Sequence, residues 1–150
     1  MDEKEFTKII DYATEREKEA AQFYHELQGS VYFTERKELL MDFENMEKGH
    51  ITILKRIRSK DIEEIDIPEV EDLHISDYII HDEPTGELNY QDILIIAMKR
   101  EEASNRLYSD LAAGTRDAGV RKLFLKLASE EAKHKLFFEK IYDDEVLSQG

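Results

Sequence analysis

Hydrophobic positions along this chain recur in alternating steps of four and three over four long stretches. The first stripe reads Phe6, Ile10, Ala13, Glu17, Ala20, Tyr24, Leu27, and the second Leu40, Phe43, Glu47, His50, Leu54, Ile57. The third gives Tyr90, Leu94, Ala97, Glu101, Ser104, Tyr108, Leu111, and the fourth Phe124, Leu127, Glu131, His134, Phe138, Ile141. Such stepping is the seam of a helix packed in a bundle. It predicts helices over about 2–27, 34–58, 89–113 and 117–142. Thr34, Asn89 and Asp117 are N-cap types at three of the starts, and Gly29 and Gly114 stand where the first and third helices end.

The third stripe is the first displaced by 84 positions (Glu17 to Glu101), and the fourth is the second displaced by the same 84 (Glu47 to Glu131). One two-helix unit therefore occurs twice in register. In each copy, charged and imidazole side chains interrupt an apolar stripe at the same places. The links within each unit are short, so each unit is an antiparallel pair. With a rise of ~1.5 Å per residue, Glu17 and Glu47 both lie roughly 18–20 Å from their connecting turn, at one level. Residues 59–88 join the pairs and can run the length of the bundle, so that the second pair enters from the opposite end. A pseudo-twofold axis then brings all four glutamates together in the middle. The expected architecture is all-α: one domain over 1–150, a four-helix bundle of two helix-pair repeats joined by a long crossover.

Composition narrows the chemistry. A net charge of −14 repels phosphate backbones, so nucleic acid is not an expected partner. The longest strongly apolar run, Ile93 to Met98, is far too short to span a bilayer, so no membrane partner is expected either. The acidic start, MDEKEF, is not a secretory or transit signal, and cytoplasmic residence is the expectation. The sequence contains no cysteine, which excludes zinc ribbons, iron–sulfur clusters and thiolate-held iron within it. Any metal must be held by oxygen and imidazole.

The stripes supply both. Glu47 with His50, and Glu131 with His134, are spaced by three residues and share a helix face. Glu17 and Glu101 come from the other two helices. Four carboxylates and two neutral imidazoles balance two divalent cations, and a Glu from two helices plus Glu-x-x-His from the other two is the ligand set of ferritin-like dimetal carboxylate bundles. Left without cations, four carboxylates in a dry core would repel one another and cost several kcal/mol each to desolvate. Glu-x-x-His is a weak signal alone: a third copy, Glu71 to His74, lies in the crossover with no repeat counterpart and is read as surface. Tyr24 and Tyr108 lie two turns beyond Glu17 and Glu101 on the same stripes. They are either core aromatics or groups that hydrogen-bond a carboxylate and hold it in place. His25 and His81 have no partner by spacing and are read as exposed, and Met46 and Met98 as gap fillers.

The segments EREKEAAQFYHEL, FENMEKGHITIL, MKREEASNRLYSDLA and LASEEAKHKLFFEKI resemble rubrerythrin-type members of the ferritin-like superfamily over all four helices. The resemblance implies a di-iron centre reacting with hydrogen peroxide or dioxygen. By position it carries over Glu17, Glu47, His50, Glu101, Glu131 and His134 as metal ligands. Rubrerythrins proper also have a Cys-ligated rubredoxin iron, absent from this sequence, so the electrons must come from a separate donor. They bring a further glutamate one turn after the third-helix ligand, where this chain has Ser104. The remaining six-ligand set is similar to that of bacterioferritins. Those, however, place a haem-ligating Met where Lys48 stands and add a fifth helix after the fourth, so a haem-bearing storage cage is not expected. The function so implied is reduction of peroxide or dioxygen at two irons (the ligand types also suit manganese or zinc) in a homodimer. Iron handling by a ferroxidase is the alternative, and a bundle whose metal only stabilises the fold or a partner-binding surface is a further one.

Register and motif can be separated by substitution. Glu131→Ala is expected to lose at least one metal ion per chain, whereas Glu71→Ala, outside the repeat, leaves metal content unchanged by elemental analysis. Equal losses from both variants would remove the argument from register.

Overall fold

A computed structural model describes residues 3–60 and 73–147. Four helices dominate: α1 (Glu3–Leu27), α2 (Lys37–Ser59), α3 (Tyr90–Gly114) and α4 (Ala118–Ile141). Among the described residues there is no strand, and no helix is long and apolar enough to cross a membrane. The all-α bundle expected from the stripes is the fold observed.

The stripes face inward as their spacing requires. All six positions on α2 and all six on α4 are buried, and on α1 and α3 only Ala20, Tyr90 and Ser104 are partly open. Helix α1 packs along α2 and α3 along α4, and the pairs meet through α1 against α3 and α2 against α4. Two apolar cores result. One joins the start of α1 (Phe6, Ile10), the end of α2 (Leu54, Ile57), the end of α3 (Leu107, Leu111) and the start of α4 (Phe124, Leu127). The other joins the opposite ends, through Leu27, Leu40, Phe43, Leu94, Phe138 and Ile141. The beginning of α1 therefore lies beside the end of α3, and the second pair does enter from the far end of the bundle. The polar residues of the stripes fall between the two cores.

Helix ends follow local chemistry more closely than the stripes foretold. Asn89 accepts from the backbone N–H of Asp92 at 2.8 Å while the Asp92 carboxylate accepts from the Asn89 N–H at 3.2 Å, a reciprocal capping box. Asp117 accepts from the Val120 N–H at 2.9 Å and caps α4. The expected start of the second helix needs correction: Thr34 is not its cap. A 3₁₀ turn, Val31–Arg36, precedes α2, and it is Ser30 that accepts from Tyr32 N–H at its start. Phe33 breaks the helical backbone there (φ −124°, ψ 23°) because its side chain turns into the core, where it is fully buried. Nor do Gly29 and Gly114 act as left-handed C-caps. Gly86, in the crossover, is the glycine with positive φ among the described residues, and Gly114 is still helical.

The described part of the crossover lies along α3. Tyr78 is buried, donates to Asp110 at 2.7 Å, and the Asp77 carbonyl accepts from Arg106 at 3.0 Å. Of the Glu71–His74 motif, Glu71 lies outside the described residues and His74 is exposed.

The caps give a direct comparison. Asn89→Ala is expected to lower stability by about 1 kcal/mol, since it frees a helix-end N–H. Thr34→Ala is expected to stay within about 0.5 kcal/mol, as for an exposed residue without a capping role. Chemical denaturation of both variants measures the difference.

Candidate metal centre

Between the two cores, six side chains converge: Glu17 from α1, Glu47 and His50 from α2, Glu101 from α3, Glu131 and His134 from α4. Each is exposed by 3% or less, a degree of burial that carboxylates tolerate only when paired or bound to a cation. They form two overlapping groups. Glu17, Glu47, His50 and Glu131 offer ligand atoms within 4.8 Å of one another, and so do Glu47, Glu101, Glu131 and His134. Glu47 and Glu131 belong to both groups. Each imidazole turns Nδ1 inward: His50 Nδ1 is 2.9 Å from Glu131, 3.4 Å from Glu17 and 3.8 Å from Glu47. His134 Nδ1 is 2.9 Å from Glu47, 3.7 Å from Glu101 and 3.8 Å from Glu131. The pseudo-twofold relation in the sequence is thus a spatial one.

Tyr24 and Tyr108, fully buried, donate across the repeat. The Tyr108 hydroxyl bonds Glu17 at 2.5 Å, and the Tyr24 hydroxyl bonds Glu101. Of the two readings open in the sequence, the hydrogen-bonding one describes these tyrosines. Each fixes one carboxylate oxygen of a residue that belongs to a single group, and leaves the other oxygen free to face the centre.

Whether these residues suit cations can be judged from what they leave unpaired. Glu17 Oε2, both carboxylate oxygens of Glu47, Glu101 Oε2 and His134 Nδ1 are buried without hydrogen-bond partners. Buried orphans of this kind are rare in folded proteins, and here they all point into one space. Electrostatics agree. Burial pushes the Glu47 carboxyl well above its ordinary range, and repulsion from Glu17 and Glu101 adds to it. Burial likewise raises Glu131, with repulsion from Glu101, Glu17 and Glu47. Burial alone would raise Glu17 too, but the close approach of Glu47 and of the His50 imidazole prevails and holds it at about 2. Burial lowers His50, yet the bond to Glu17 and its charge win, and the imidazole is raised. Burial keeps both tyrosines protonated, reinforced by the charge of Glu101 at Tyr24 and of Glu17 at Tyr108. The centre attracts positive charge, supplied by protons or by metal ions. The donor set of carboxylate oxygen and imidazole nitrogen is one that iron, manganese or zinc accepts.

Three contacts lay beyond the sequence reading. Glu130, beside Glu131, reaches His50 Nε2 from the outer side. Met46, beside Glu47, is not a plain gap filler, for its sulfur stands 3.2 Å from His134 Nε2. His25, exposed as expected, does have a partner: its Nδ1 is 3.1 Å from Glu44, which also accepts from Lys48 and from Gln28 at 2.7 Å. Neither Glu130 nor Met46 belongs to a stripe, and only the helix-to-helix packing identifies their targets. A cavity of about 160 Å³ reaches Glu101 from outside, bounded among others by Tyr12, Arg16, Tyr78, Arg100 and Ser104.

Comparison with known proteins bears on the same half of the site. Residues 81–149 match the family model of rubrerythrin. Over that segment the chain is similar to rubrerythrin. The matched segment contains α3 and α4, with Glu101, Glu131 and His134. The first helix pair lies outside it, but repeats the same ligand types 84 positions earlier. No curated protein and no solved structure matches the chain significantly. The rubrerythrin-like segment and the buried carboxylate–imidazole cluster together fit a metal-binding protein of the ferritin-like class.

The raised groups set a pH dependence for protein stripped of metal by chelation. Glu47, Glu131 and His50 hold protons more tightly folded than unfolded. Their contribution is full below the ordinary values of 4.5 and 6.5 and is lost as pH rises through the folded values. Glu17, held at about 2, works oppositely, but only as pH falls below 4.5. Chelator-treated protein is therefore expected to melt at a lower temperature near pH ~8 than near pH ~5.5. A melting temperature that climbs over that interval would contradict the account.

Proposed function

We propose that this rubrerythrin-like chain is a di-iron oxidoreductase that reduces hydrogen peroxide with electrons from a separate donor. The observation that carries the reading is the cluster of four carboxylates and two imidazoles, buried and with five of its polar atoms unpartnered. Glu17 and His50 would serve one ion, Glu101 and His134 the other, and Glu47 and Glu131 lie within reach of both. Four carboxylates against two divalent cations leave the set near neutrality, which removes the repulsion that adds to burial in raising Glu47 and Glu131. When bound, a ferrous pair supplies the two electrons that, with two protons, convert hydrogen peroxide to two molecules of water.

The remaining work belongs to the protein. Tyr24 and Tyr108 steady Glu101 and Glu17 while keeping their own protons. The cavity at Glu101 is of a size for a small oxidant, and Ser104, one of its lining residues, has a short polar side chain. The two apolar cores close the centre from both ends and keep bulk water away.

Stopped-flow absorbance on the anaerobic diferrous protein tests the reading. One equivalent of peroxide is expected to oxidise the centre faster than dioxygen does, and an added reductant to restore it without release of iron. Gel filtration should then show a dimer. Slow reaction with peroxide, together with uptake of many irons per chain into a large assembly, would favour iron storage instead. Ser104→Phe, which fills the approach, is expected to slow peroxide oxidation about tenfold, or ~1.4 kcal/mol of barrier, with iron content unchanged.

A further inference from the structure

The 84-residue repeat makes Met46 and Glu130 equivalent positions, each immediately before the glutamate of a Glu-x-x-His pair. The fold carries both to the same task with different chemistry. Each lies against the outward nitrogen of the histidine from the opposite copy: Glu130 at His50 Nε2, Met46 at His134 Nε2. A carboxylate that accepts Nε2–H fixes the tautomer, directs the Nδ1 lone pair into the centre and makes the imidazole a stronger donor. A thioether is a weak acceptor and does little of this. The inward nitrogens are alike in distance, His50 Nδ1 2.9 Å from Glu131 and His134 Nδ1 2.9 Å from Glu47, but of the two only the His50 contact has hydrogen-bond geometry. Elsewhere the halves are matched, since Tyr108 holds Glu17 as Tyr24 holds Glu101. Glu130 against Met46 is the polar departure from symmetry beside the two imidazoles; Phe43, packed on His134, has Leu127 as its repeat counterpart.

We infer that the two metal positions are inequivalent, and that the Glu17–His50 position fills first because a carboxylate, Glu130, backs its histidine while only the weakly accepting thioether of Met46 backs His134. The inference rests on the two-metal reading above. Glu130 acts here as a positioning residue, touching the ligand and not the metal. Loss of such a partner weakens metal binding by about 10–100-fold, and that is the expected ratio between the two positions.

Cobalt(II) added anaerobically at one equivalent to the full chain, followed by anomalous diffraction from crystals, reads the order of filling without reference to activity. The expected result is anomalous density concentrated beside Glu17 and His50. In the exchanged variant Met46→Glu/Glu130→Met, the density should move to the position beside Glu101 and His134. Met46→Glu alone, the milder change, should distribute it evenly. Even density in the unaltered protein, or a preference that stays in place in these variants, overturns the inference and leaves the two-metal reading standing. Absence of cobalt from both positions at excess metal overturns that reading, and this inference with it.

Discussion

Four carboxyl groups and two imidazoles share the middle of this bundle, each nearly cut off from water. Moving even one carboxylate from water into such a place costs several kcal/mol, and placing four together adds their mutual repulsion. The chain offsets that cost in part, by raising the Glu47 and Glu131 carboxyls well above their ordinary range and by setting tyrosine hydroxyls against Glu17 and Glu101. Five polar atoms nevertheless stay unpartnered. The architecture around them follows from that constraint. An apolar core on each side carries the bundle's hydrophobic stabilisation, while the polar layer between them is rigidly framed by packing it does not itself provide.

The tyrosines show how one set of contacts serves both fold and site. Each lies on one helix pair and bonds a glutamate on the other, so the two bonds tie the repeats together across the pseudo-twofold axis. They also fix the orientation of the carboxylates they meet. Aromatic packing steadies the imidazole side of the same layer, with Phe43 4.0 Å from the His134 ring and Tyr24 at 5.8 Å. On the proposed reading, ligand geometry is set before any ion arrives. The entropy of ordering the side chains is met by folding and not by binding.

The symmetry is incomplete, and its failures lie where chemistry would sense them. Glu130 and Met46 differ behind the two histidines, and of the six central residues Glu101 alone lines one of the cavities described. A duplicated helix pair supplies a scaffold with two equal halves, and single positions beside the ligands can then make the halves unequal at little cost to packing.

What the sequence determined by itself was whatever depends on period and register. A 3.6-residue repeat decides which side chains face inward, and a displacement of 84 applied to Glu17, Glu47 and His50 names Glu101, Glu131 and His134 without coordinates. The caps at Asn89 and Asp117 were equally legible, because an N-cap acts within three residues. Tertiary structure decided what depends on distance between helices. That α2 starts at Lys37 follows from Phe33 turning into the core, and nothing local to Thr34 announces it. That Tyr24 reaches Glu101 rather than the Glu17 of its own stripe, or that Glu130 backs His50, depends on how the second pair lies against the first. Those contacts join residues 77 and 80 positions apart. A helical stripe specifies direction about its own axis, but only packing fixes which side chain of a neighbouring helix it meets.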